Sequence, residues 1–193
     1  MMIQTDSAHL QLPLAQAREI VTTRMPAADY PDAHAVSVAA YAVRIAAELD
    51  LEELEIGVVA AGALLHDVGK LMVDRRVLEK RGALTPVERA EVNTHAAEGE
   101  QLVSGMVDHR TAEVVRSHHE RWDGSGYPDG RAADAIPIAA RIVAVADAFQ
   151  AMQEDRPYRP ALAREAALAE LRSCSGSQFD PRCVRALETV VAD

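Results

Sequence analysis

Apolar side chains recur at helical spacing along most of the chain. From His34 to Leu49, the residues Val38, Tyr41, Ala42, Ile45 and Leu49 share one stripe while Arg44 and Glu48 fall away from it, which predicts an amphipathic helix. A second apolar segment passes through Val58, Val59, Leu64 and Leu65 and stops where the chain reaches Gly69 and gains a lysine. It predicts a buried helix ending at HDVGK. Thr85-Pro86-Val87-Glu88 combines an N-cap threonine, proline at the first helical position and a glutamate placed to close a capping box, so a helix should run from there to about Ser104. Thr111 to Glu120 reads as a shorter helix running into RWDGSGYPDG, whose glycines and proline forbid regular structure and predict a rigid loop. Ile136-Pro137 opens a strongly apolar helix through Ile142, Val145, Ala146 and Phe149, and further helices are expected near Ala163 to Arg172 and after Asp180-Pro181. No strand pattern and no internal repeat interrupts this series, so the fold class is all-α, a compact bundle. Residues 1–27 read as a weakly patterned leader with one helix-like stretch near Leu14 to Arg24, and residues 28–193 as one domain.

Composition narrows the field. At 193 residues one globule is the default, and 49% hydrophobic against 26% charged residues is too apolar for a disordered chain. A formal charge of −10 argues against a nucleic-acid duplex as partner. The longest apolar run, Ile56 to Leu65, is about half of the roughly 20 residues that cross a bilayer, so no membrane association is expected. No basic residue precedes Arg18, which does not fit a secretory signal, and a cytoplasmic location is expected. Cys174 and Cys183 fit neither a redox pair nor a zinc knuckle and should be free thiols. Nothing in the pattern fixes the oligomeric state.

The candidate chemistry lies in histidines that sit beside carboxylates: His34, His66 with Asp67, His95, and His118-His119 followed by Glu120. Any one of them alone fits a satisfied polar group, but the set does not. Asp147 sits among Val143, Val145, Ala146, Ala148 and Phe149, and a carboxylate buried there without a partner is costly; a cation would satisfy it. Imidazoles and carboxylates without thiolate suit iron, manganese or zinc. Five histidines and two aspartates exceed the needs of one tetrahedral ion, and an aspartate can bridge two ions about 3.5–4 Å apart. Two such ions hold a bridging hydroxide suited to in-line attack at phosphorus, which makes phosphoester hydrolysis the natural reaction. Lys70, three residues after Asp67, can reach the same site. His9 and His109 lack an acidic cluster and read as surface histidines.

HDVGK, HHERWDGSGYP and RIVAVADAFQAMQEDRPYRPAL, in that order, closely resemble the HD-GYP family of cyclic di-GMP phosphodiesterases, from about residue 28 to the end. The resemblance implies an HD-type helical bundle with a Gly/Pro-rich loop and a site for two or three metals, iron or manganese foremost, with zinc and nickel among the alternatives. Carried over position by position, it makes His34, His66, Asp67, His95, His118, His119 and Asp147 metal ligands, with Asp67 and Lys70 catalytic. It also implies that Lys70 contacts the scissile phosphate, that Arg156 and Arg159 grip the nucleotide phosphates, and that the loop residues Gly124, Gly126, Tyr127 and Pro128 help form the site, with Tyr127 toward substrate. The same loop is implied as a docking surface for partners such as diguanylate cyclases. Glu120 reads either as a residue that orients a histidine or holds a water, or as a plain helix-end acid. The glycines and proline equally fit a role in turns alone, with Tyr127 packed on Trp122.

Two positions depart from the family pattern. Gln150 stands where many members have aspartate, and Tyr30 where trinuclear members have glutamate. A phenol is a poor ligand at neutral pH, so two ions and a main product of linear pGpG rather than GMP are expected. The alternatives are another cyclic dinucleotide or nucleotide as substrate, and a module that binds cyclic di-GMP or a cyclase without turnover.

Overall fold

The computed structural model describes residues 33–155 and 160–192. The leader with its Leu14 to Arg24 stretch, Tyr30, Arg156 and Arg159 lie outside the described residues. Nine α-helices are described: α1 (Ala33–Glu48), α2 (Glu53–Leu65), α3 (Arg75–Leu78), α4 (Pro86–Asn93), α5 (His95–Val103), α6 (His109–Ser117), α7 (Ile138–Gln153), α8 (Arg164–Ser173) and α9 (Pro181–Ala192), with 3-10 turns at Val68–Met72 and Ala133–Ala135. Among the described residues there is no strand, only an isolated bridge between Ser175 and Phe179.

The apolar stripe read from α1 is buried: Val38, Ala42 and Ile45 are wholly inaccessible. They pack with Val58, Val59 and Ala63 of α2, with Ile142, Val145 and Phe149 of α7, and with Leu171 and Leu187 from α8 and α9. Tyr41 meets Phe149 edge-on at 5.1 Å between centroids, the favoured aromatic geometry. A smaller cluster on the opposite side of α2 joins Ala61 and Leu65 to Val68, Val103, Ala112 and Val115. With apolar contacts on both sides, α2 is the central helix, and it delivers His66 and Asp67 to the middle of the molecule.

Three predicted boundaries shift. Helix α2 ends at Leu65, short of Gly69, because Asp67 leaves the helix (φ −95°, ψ 6°) and Lys70 N–H bonds to the Asp67 carbonyl in a 3-10 turn. The capping box at Thr85 forms in full. The helix it starts breaks at Thr94 instead of running to Ser104, since the Thr94 N–H and hydroxyl both turn to the Glu91 carbonyl, at 3.1 and 2.8 Å. Helix α6 spans His109–Ser117, so His118 and His119 stand just past its end.

Candidate metal centre

Each sequence-predicted donor within the described residues comes to one place. His34 is the second residue of α1, His95 the first of α5, His66 and Asp67 follow α2, His118 and His119 follow α6, and Asp147 faces inward from α7. The donor atoms form two sets: Asp67, His95, His118 and His119 in one, and His34, His66 and Asp67 in the other, with the atoms of each set within 4.8 Å of one another. Asp67 belongs to both. Its Oδ2 lies 3.4 Å from His66 Nε2 and its Oδ1 3.4 Å from His95 Nε2. Asp147 joins through His34, with Oδ1 at 3.1 Å from Nε2.

Three of the imidazoles are fixed through Nδ1. The Nδ1–H groups of His66, His95 and His118 donate to the carbonyls of Ala63, Val92 and Val115, each at 2.7 Å and each three residues earlier in the chain. Main-chain acceptors thus fix the tautomer and leave the Nε2 lone pairs facing the centre. Buried His66 Nε2 and Asp67 Oδ1 have no hydrogen-bond partner, an arrangement that costs free energy unless a cation completes it. The donor set of imidazole and carboxylate without thiolate fits divalent transition metals.

Electrostatics point the same way. Burial, reinforced by neighbouring imidazoles, holds His118 well below the usual histidine range and His119 at about 4, and burial lowers His95, so these three are neutral at pH 7. Burial opposes the charge on His66 too, but the Asp67 carboxylate outweighs it and raises that imidazole to about 9. Asp67 and Asp147 are enclosed by the fold, which favours their neutral forms, yet His66 beside the first and the His34 hydrogen bond to the second hold both below the usual carboxylate range. The hydrogen bond to Asp147 raises His34. Metal entering beside His66 would therefore displace a proton from it.

Gly69 locks the two halves of the centre together. A methyl group there would lie 1.9 Å from the His95 carbonyl oxygen, so only glycine lets the HDVGK turn rest on the start of α5. Lys70 returns over this turn and pairs with Asp67 Oδ2. Beside it opens a cleft of about 420 Å³, floored by His34, His66, Asp67 and Lys70 and walled by Leu71 and Leu78, with Arg75 at the rim.

The 118–135 loop closes the other side. Gly126 lies against main chain, where an added methyl would approach the Arg121 nitrogen to 2.4 Å. Buried Glu120 accepts from the Asp129 N–H through Oε1 at 2.7 Å, which ties the loop, while its Oε2 is buried without a hydrogen-bond partner. Tyr127 does not pack on Trp122. Its ring lies 4.9 Å from His119 and 6.4 Å from His95, and burial together with Asp67 and Asp147 pushes its phenol above the usual range. Trp122 instead sits under the Arg141 guanidinium, 5.5 Å from the ring centroid, with its main-chain N–H on the Gln178 carbonyl at 3.0 Å. His109 is exposed at the surface, as expected.

One residue absent from the sequence reading touches the centre. Glu154, just past α7, accepts from His34 Nδ1–H at 3.0 Å. Its signal was a polar row along an apolar helix, Asp147, Gln150 and Glu154, at spacings of three and four residues.

A family model described as HD domain matches residues 8–183. The chain is 46% identical over 146 residues to the cyclic di-GMP phosphodiesterase response regulator RpfG of Xanthomonas campestris pv. campestris, covering 74% of this chain and 39% of that one. It is 36% identical over 184 residues to the 3'3'-cGAMP-specific phosphodiesterase 3 of Vibrio cholerae, covering 95% and 39%. A cyclic di-GMP phosphodiesterase of Thermotoga maritima is 40% identical over 156 residues, covering 78% and 42%. The chain thus spans about two fifths of the length of these curated relatives. Among solved structures, an HDG"Y"P protein of Bdellovibrio bacteriovorus superposes with a TM-score of 0.70 at 18% identity, over 96% of this chain and 64% of that one, a likeness of fold.

Proposed function

The chain belongs to the HD domain family, and from that premise we propose that it is a metal-dependent phosphodiesterase that opens cyclic di-GMP, mainly to linear pGpG. One observation supports this above the rest: two donor sets meet at a single carboxylate, Asp67. His95, His118 and His119 would hold one ion with Asp67, and His34, His66 and Asp147 would hold the other with it. Iron and manganese suit these donors first, and zinc or nickel next. When bound, the two ions supply Lewis acidity, which yields a nucleophile at neutral pH and offsets the charge that grows on phosphorus.

The chain's own residues do the remainder. Lys70, paired with Asp67 at the cleft floor, donates to an oxygen of the scissile phosphate as negative charge builds there. Arg156 and Arg159 are assigned to the substrate phosphates, as bidentate donors. Tyr127, kept protonated, offers a neutral O–H to the substrate. Burial of His66, His95 and His118 excludes bulk water from the donors and strengthens every charge interaction among them. Because the full donor set is present, turnover is favoured over binding alone.

A second substrate, 3'3'-cGAMP, is supported by the Vibrio cholerae relative that aligns with 95% of the chain. The test is anaerobic reconstitution with manganese or iron, followed by incubation with each cyclic dinucleotide and separation of the products. Metal-dependent release of a linear dinucleotide supports the reading, and an inert, fully metal-loaded protein refutes it.

A further inference from the structure

Four imidazoles of the centre are anchored through Nδ1, but not in one way. His66, His95 and His118 use main-chain carbonyls inside the protein. His34 uses a side chain: its Nδ1–H donates to the Glu154 carboxylate, 3.0 Å from one oxygen and 3.1 Å from the other. Glu154 in turn accepts from the Gln150 amide, with Nε2 2.9 Å from Oε1. At its other nitrogen His34 faces Asp147, 3.1 Å away. Asp147 and Glu154, along and just past α7, therefore grip the His34 ring from both edges, with Gln150 holding Glu154.

We propose that Glu154, oriented by Gln150, is the positioning residue for His34, and that it makes the His34–His66–Asp67 set the weaker and tunable of the two ion positions. This rests on the two-ion reading above. A carboxylate on Nδ1 holds the proton there, turns the Nε2 lone pair toward the centre and raises the donor strength of the ring. The arrangement also accounts for Gln150. An aspartate at that position would bring a second negative charge against Glu154 where an amide donor now stands, and the carboxylate could not be held in place. The two positions depend on each other, since glutamate at 154 calls for a donor at 150. The contrast in anchoring sets the order of affinity. His95 and His118 are almost wholly buried and tied to main chain, whereas the His34 and Glu154 side chains are 17% and 32% exposed and each keeps rotamer freedom that ligation must remove.

The experiment is a stepwise titration of metal-free full-length protein with manganese(II), read by calorimetry and by electron paramagnetic resonance of the free ion. The wild type is expected to fill in two resolved steps. Glu154→Leu should weaken the second step on the order of 10- to 100-fold and leave the first within about threefold. Gln150→Asp should weaken the same step. The double variant Gln150→Asp/Glu154→Gln should restore it, because the new glutamine can accept from His34 through its carbonyl and donate to the introduced aspartate through its amide, a coupling that only a direct interaction produces. Thermal melting of each variant separates loss of metal from loss of fold, and the double variant keeps the test decisive if Glu154→Leu is unstable. Equal weakening of both steps, unchanged affinities, or a double variant no better than Gln150→Asp would each overturn the proposal. A wild type that takes up a single ion would instead overturn the two-ion reading on which it stands.

Discussion

Replacing Gly69 with alanine tests whether the two halves of the centre are held by main-chain contact. The added methyl carbon would lie 1.9 Å from the His95 carbonyl oxygen and 2.6 Å from the Gly99 nitrogen, where ordinary contact begins at 3.4 Å. Both neighbours are main chain, so no side chain can swing away and the HDVGK turn and α5 must part by about 1.5 Å. Overpacking of this kind costs roughly 1–3 kcal/mol, and displacement of main chain puts Gly69→Ala near the upper end, about 3 kcal/mol. For a chain of this size each kcal/mol lowers Tm by about 2–4 °C, so a fall of roughly 6–12 °C is expected by calorimetry. The same movement carries His95 away from Asp67, whose facing atoms are 3.4 Å apart. A shift of about 1 Å in such a group costs on the order of 100-fold in turnover. Manganese titration should show the set containing His95 weakened. A Gly69→Ala protein with wild-type Tm and wild-type affinity would refute the reasoning.

Asp67→Ala should abolish hydrolysis and lower the metal content, since both donor sets lose their shared member; wild-type turnover in a cyclic di-GMP assay would sink the binuclear mechanism. Metal analysis after anaerobic preparation should give close to two ions per chain, with pGpG accumulating before any GMP, and three ions with GMP from the outset would show that Tyr30 does not limit the site. Burial pushes the Cys183 thiol up to about 12, so folded protein should react with a maleimide only at partly exposed Cys174 and at both cysteines after unfolding, which mass spectrometry counts directly. Asp180 is buried, which opposes its charge, but Arg182 and Arg141 hold its carboxyl below the usual carboxylate range. A folded value below the unfolded one adds stability above about pH 4, lost as the pH falls through the folded value, so the unfolding free energy of Asp180→Asn, from urea titration, should fall by about 1–3 kcal/mol at pH 7 and differ less from wild type near pH 3.

The candidate donors were legible because their chemistry conflicts with their surroundings: Asp147 among valines and alanines, and His66-Asp67 at the end of an apolar run. Local signals also carried through. The Thr85 capping box forms because all its atoms lie within one turn, and the Gly/Pro-rich loop is irregular as read. The break at Thr94 was hidden, since it depends on competition for one carbonyl, that of Glu91, which residue type does not reveal. Glu154 was missed for a different reason: its partner His34 stands 120 positions away, and only the packing of α1 against α7 brings the two together. For Tyr127 the sequence left two placements open, toward the site or against Trp122, and the loop's turn through Gly126 sets its ring beside the imidazoles.

Trp122 is the single tryptophan of the chain. It lies where the loop is pinned to the segment before α9 through the Gln178 carbonyl and to α7 through Arg141. All indole fluorescence therefore originates at one seam of the molecule, and the protein carries an intrinsic optical gauge of that seam without any label. Emission wavelength and anisotropy will report whether the loop is seated, separately from what happens among the imidazoles on its far side. Filling the cleft beside Lys70 should be nearly silent in this channel, whereas a macromolecule settling on the loop should not, so the two events can be timed independently in one cuvette.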